Sequence, residues 1–179
     1  ALRGTHSRGI MVDAVCFEDI LAGKEPYYVK IDIEGADIYC LDGLVRSDVR
    51  PRYVSIEASI QSFADAAGEL GMLHRLGYRQ FKIVNQGNNA LVRCPSPPRE
   101  GSYVDQRFSG HMSGPFGEEA PGRWLEFEDA LDQYRVILRR RAKHGLNGTL
   151  RHTVWSSVYR RYLSRIGQPM AWWDFHAKL

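Results

Sequence analysis

Apolar residues alternate along several short stretches of this chain, and between those stretches they recur at helical spacing. Residues 11–17 alternate and predict a strand; Phe17-Glu18-Asp19-Ile20-Leu21 then opens a short helix that Gly23 ends. A second strand is predicted over 27–33, with Val29, Ile31 and Ile33 on one parity and Asp32 and Glu34 on the other. Ile38, Leu41, Leu44 and Val45 give an amphipathic helix over 36–46, broken at Arg50-Pro51. The strand Tyr53-Val54-Ser55-Ile56-Glu57 again ends in a carboxylate, and a helix over 63–76 stops at Gly77. Phe81-Lys82-Ile83-Val84 predicts the next strand, residues 85–89 a turn, and residues 90–92 a short returning strand. Two consecutive strand–helix units imply parallel neighbours, which would set Asp32, Glu34 and Glu57 along one rim of a sheet.

Beyond residue 95 the pattern changes. Residues 95–123 are rich in Pro, Gly and Ser without periodicity, a length of loop that is usually functional or disordered. Phe127, Leu131, Tyr134 and Leu138 then mark one face of a helix, acidic in its first turns and basic at its end, closed by Gly145. A further helix from about Thr149 would use Leu150, Val154, Val158, Tyr162 and Ile166 as its apolar stripe. The last aromatic cluster, Trp172-Trp173-Asp174-Phe175-His176, reads as a tail docked on the core, with stacking on a sugar-like acceptor as the functional alternative for His176.

Composition narrows the classes. A chain of 179 residues, 44% hydrophobic and 25% charged, suits one globular domain with a core. A net charge of +3 does not by itself indicate a polyanion-binding protein, so nucleic acid is not the expected partner. Cys16, Cys40 and Cys94 are odd in number and lack C-x-x-C spacing, which favours reduced, mostly buried thiols and a cytoplasmic setting. No apolar run reaches the ~20 residues of a membrane span. The opening Ala-Leu-Arg-Gly suggests a processed or excised product.

Carboxylates at the carboxyl ends of strands stand where open α/β sheets bind ligands. Asp32 and Glu34 could act as bases or could cap the following helix; Glu57 is open between substrate contact and capping. Lys30 shares parity with Asp32 and could pair with it, and the loop residue His111 could be a base or simply solvated. Three acids on one rim could alternatively hold Mg²⁺, which prefers oxygen ligands.

The run Lys30-Ile31-Asp32-Ile33-Glu34-Gly35-Ala36-Asp37, followed by Leu41-Asp42-Gly43-Leu44 and Arg52-Tyr53-Val54-Ser55-Ile56-Glu57, resembles the FkbM-type methyltransferases over roughly residues 12–58. Val15–Leu21 looks like the segment preceding this strand in the family; residues 76–84 and Ser113-Gly114-Pro115-Phe116-Gly117 look like features of some bacterial members. The resemblance implies an α/β fold, the C-terminal portion of a Rossmann-like class I methyltransferase sheet with a helical C-terminal extension. Its parts would be a partial methyltransferase domain over 1–95, a long loop over 96–123, and a helical extension over 124–179 packing on the domain. It implies an S-adenosylmethionine-dependent O-methyltransferase acting on a hydroxyl of a sugar, glycan or secondary metabolite. Asp32 would face the methionine end of S-adenosylmethionine, Glu34 the methyl donor, and Glu57 the next strand tip. Catalytic roles then fall to Asp32, Glu34 and Glu57, cofactor binding to Asp32, and substrate contact to Lys30 and His111.

One departure is large. The glycine-rich turn and ribose-binding acid of such enzymes have no match, so an upstream part of about 90 residues, at about 30 per βα unit, is expected to be missing. A sheet edge left open in this way would pair with another chain, which makes a homo-oligomer a further expectation. The alternative to an enzyme is a binding or assembly module built on the basic tail. Between Arg135 and Arg165 nine Arg or Lys residues occur without an acid, interleaved with Trp155, Tyr159 and Tyr162, which could suit nucleic acid or an anionic membrane. A solvated helix face with dipole compensation is the simpler account of the same residues.

Overall fold

The computed structural model describes residues 9–33, 35–110 and 112–179. Its centre is a four-stranded mixed sheet of β1 (Tyr28–Ile31), β2 (Tyr53–Glu57), β3 (Gln80–Asn85) and β4 (Trp173–Lys178), in the order β1-β2-β4-β3. β1 and β2 are parallel, with Lys30 beside Ser55. β4 is antiparallel to both of its neighbours. The terminal segment, expected as an aromatic cluster on a helical tail, is therefore an inner strand of the sheet. Its alternation of Trp173, Phe175 and Ala177 with Asp174, His176 and Lys178 is the period-2 signature of a strand.

Helix α1 (Phe17–Leu21) precedes β1; α2 (Asp37–Arg46) and α3 (Phe63–Arg75) lie between β1 and β2 and between β2 and β3, and α4 (Phe127–His144) and α5 (Val154–Arg165) lie between β3 and β4. α3 starts where Ser62 accepts a hydrogen bond from the Asp65 amide at 3.1 Å, an ordinary N-cap. α5 starts at Thr153, whose hydroxyl accepts from the Ser156 amide, a few residues later than the expected start near 149. Two other expectations are corrected. Residues 11–16 form no strand: Met11, Val12 and Val15 are exposed, and an alternating run without a ladder partner has nothing to stabilise it. Residues 90–92 do not return as a strand either, because Gln86–Leu91 winds into a 3-10 turn. The Asn85 side chain accepts from the Gly87 amide at 2.9 Å, and this local bond competes with ladder formation.

Alternation gives the sheet two unlike faces. Ile31, Val54, Ile56, Phe81, Ile83, Phe175 and Ala177 form an apolar face, covered by Leu41 and Leu44 of α2, Leu70 and Leu73 of α3, and Ala130 and Tyr134 of α4. The other face carries Tyr28, Lys30, Ser55, Lys82, His176 and Lys178. The loop expected over 96–123 lies across it as a strap. Phe116 stacks on Tyr28 at 4.1 Å. Buried Lys82 donates to the carbonyls of Gly117 and Ala120 and sits 4.4 Å from the centre of the Trp124 ring. Burial lowers the Lys82 pKa to about 8. These bonds satisfy a cation that would otherwise be costly to bury. The cysteines are free, as expected, but not buried: Cys16 is exposed, and Cys40 and Cys94 are intermediate. No helix among the described residues is long and apolar enough to cross a membrane.

Candidate functional site

The site forms where β1 and β2 end side by side. After Ile31 the chain must turn sharply into α2. Gly35 takes φ +93°, a conformation that favours glycine. The Asp37 carboxylate accepts from the amides of Ile33 and Gly35, each at 3.2 Å. Asp37 closes the turn, while Ala36, the N-cap residue, offers no side-chain bond. Asp32 is thus not needed to cap the helix and projects from the strand tip with its side chain 45% exposed.

The antiparallel partner of Glu57 in β4 is Asp174. The two parallel tips and the first turn of β4 therefore meet at one recess of about 350 Å³, lined by Lys30, Asp32, Glu57, Gln86, Trp172 and Asp174, with Gly110, Met112 and Ser113 above. Lys30 Nζ donates to Asp174 Oδ2 at 2.8 Å and lies 3.4 Å from Asp32 Oδ2. Asp174 is almost fully buried. Burial raises its pKa above the usual carboxylate value, with Lys30 opposing the shift. Burial also acts to lower the pKa of Lys30, yet the facing Asp174, with Asp32, raises it overall. Gln86 is buried in the wall; its Oε1 accepts from the Asn89 side-chain Nδ2, and its Nε2 has no hydrogen-bond partner among the described residues.

Glu57 also lines a second, larger recess of about 750 Å³ beside Gly35, Asp37, Ile38, Ser59 and Glu69. The Glu69 carboxylate accepts from the Ser59 amide at 3.0 Å, and burial raises its pKa to about 7. Since an unfolded Glu titrates near ~4.3, this group holds its proton longer when folded. Its contribution to stability is complete below about pH 4.3 and is lost as pH rises through 7. Glu69→Gln keeps the acceptor without the charge. The variant is expected to melt within about 1 °C of the wild type at low pH and about 5 °C higher at pH 8, in scanning calorimetry. Equal melting temperatures at pH 8 would remove the buried-charge account of Glu69.

Of the residues singled out in the sequence, the structure brings Lys30, Asp32 and Glu57 to one recess. Glu34 and His111 lie outside the described residues. His176 is buried in the middle of β4, facing Ser55 and Lys82 rather than lining the recess, so it offers no stacking surface. Burial, reinforced by Lys30 and Lys82, lowers its pKa to about 3 and keeps it neutral. Asp174, Gln86 and Glu69 were missed. The only signal for Asp174 was an acid standing alone among the apolar residues of the last strand. Among the described residues no cluster of three or more His, Cys, Asp or Glu could hold a metal ion.

Residues 4–80 match the family model for the methyltransferase FkbM domain. The matched stretch contains Asp32 and Glu57, whereas Gln86, Trp172 and Asp174 lie beyond it. No curated protein and no solved structure matches the chain.

Proposed function

We propose that this chain contributes to S-adenosylmethionine-dependent O-methylation, with the strand-tip recess receiving a hydroxyl of a sugar, glycan or secondary metabolite. The observation that carries the reading is the adjacency of two recesses with Glu57 in the wall of both. Two adjoining recesses can hold the two substrates of a transfer with their reacting groups close together. S-adenosylmethionine would supply an electrophilic methyl on a cationic sulfur. The donor set suits such a group, because Asp32, Glu57 and Asp174 bring carboxylates to one recess, where Lys30 is the one cation among the described residues. Asp32 is the residue proposed to hold the cationic end.

The remaining chemistry belongs to the chain's own groups. A hydroxyl is a weak nucleophile until its proton is taken, and a carboxylate in hydrogen-bond reach can take it. Asp32 is partly exposed to the recess and is steadied by Lys30, so we assign it the proton. Lys30, fixed from behind by Asp174, positions Asp32 rather than reacting itself. Gln86 also lines this recess, and its Nε2 has no partner among the described residues. Gly110, Met112 and Ser113 complete the lining of the recess. Transfer of labelled methyl from S-adenosylmethionine to a panel of polyhydroxylated acceptors, compared with Asp32→Asn, tests this reading.

A further inference from the structure

The helix α5 is turned inside out. Its buried side chains are Ser156 and Leu163. Arg160 also faces the protein, donating to the His144 carbonyl at 3.0 Å and to Ser156 Oγ at 3.2 Å. The apolar stripe that helical spacing would place in a core points to water instead: Val154 is 78% exposed, Trp155 81%, Val158 51% and Tyr162 55%. Arg161 and Arg165 border that stripe and are exposed as well. An apolar stripe of this kind costs free energy in water and marks a surface built for contact.

Charge says what covers it. The stretch 135–165 carries nine Arg or Lys and no acid, a charge of +9, while the remainder of the chain sums to −6. We propose that α5 is an interfacial helix that docks on an anionic lipid surface. The arginines would meet the headgroup phosphates, and Trp155, Val158 and Tyr162 would enter the headgroup–acyl boundary. Basic residues beside an exposed Trp-containing apolar stripe are what such binding requires. A nucleic acid would use the arginines but gives no role to Val154 and Val158. A second copy docked on the same stripe would bring Arg161 and Arg165 near their counterparts, and like charges repel. Six residues separate Arg165 from Trp172 in the wall of the strand-tip recess. They are pinned by Asn85 donating to the Pro169 carbonyl and Arg141 donating to the Ala171 carbonyl, so docking would orient the recess relative to the surface. The inference is independent of the methyl-transfer reading.

The test is flotation of the protein with vesicles of phosphatidylcholine alone and of phosphatidylcholine with about one-third phosphatidylserine. The protein is expected to float with the anionic vesicles, less so as salt rises, and to stay behind with the neutral ones. The double variant Trp155→Ser/Val158→Ser is expected to partition about tenfold more weakly while its melting temperature stays within about 2 °C, since both side chains face water. Absence of flotation with anionic vesicles, or equal flotation with neutral ones, overturns the proposal. So does a dimer in sedimentation that the double variant abolishes. Single-stranded RNA that binds wild type and double variant alike, and more tightly than anionic vesicles bind the wild type, would also overturn it by assigning the arginines to a polyanion.

Discussion

Asp32→Asn is expected to slow methyl transfer by about 10²–10⁴-fold, the usual contribution of a positioned base. Asparagine keeps the size of the side chain and one acceptor oxygen but cannot take a proton. Because Asp32 is 45% exposed and caps no helix, the fold should survive the change, and circular dichroism should be unaltered. The larger loss should fall on kcat, because proton removal matters most in the transition state, with a smaller rise in the KM for S-adenosylmethionine, whose cationic end Asp32 is also proposed to hold. A variant with wild-type kcat would take the base away from Asp32.

Lys30→Met has the second large effect, on stability. Its ammonium group is the partner of Asp174, whose side chain is 3% exposed. Without Lys30 the buried carboxylate is left uncompensated, at a cost of about 3–5 kcal/mol. In a chain of this size that corresponds to a melting temperature lower by roughly 10 °C. Adding Asp174→Leu removes the stranded charge and should restore the loss to within about 1 kcal/mol of wild type. The double variant separates a desolvated ion pair from mere packing of the lysine stem: if packing were the cause, the second substitution would worsen the loss. A single variant as stable as wild type would mean that Asp174 is protonated in the folded protein or reached by water.

The alternating and helical periods identified β1, β2 and β3 and α1 to α4 because each of these elements buries part of the stripe its spacing marks, even where Ile33, Ile38 and Val45 stay exposed. Leu41, Leu44, Leu70, Leu73 and Tyr134 all lie in the core. Two elements defeated the same logic. In β4 the polar positions Asp174, His176 and Lys178 face the strap rather than water, and no local signal tells that the strand inserts between β2 and β3. In α5 the stripe was legible but its direction was not, since which side of a helix meets the protein is decided by its neighbours. The site divided along the same line. Asp32 and Glu57 were legible because parallel strands align their ends. Asp174 and Gln86 reach the recess through pairing and turns remote in sequence, and the path of the strap across the polar face has no periodic trace at all.

Amide hydrogen exchange with and without S-adenosylhomocysteine tests the central claim most directly, because it locates the binding site without needing the acceptor. The account predicts slowed exchange at the amides of Asp32, Ile33, Gly35 and Ala58, around the ends of β1 and β2, when the ligand is added. Unchanged exchange at those amides under saturating ligand, or protection confined to another part of the chain, would contradict it.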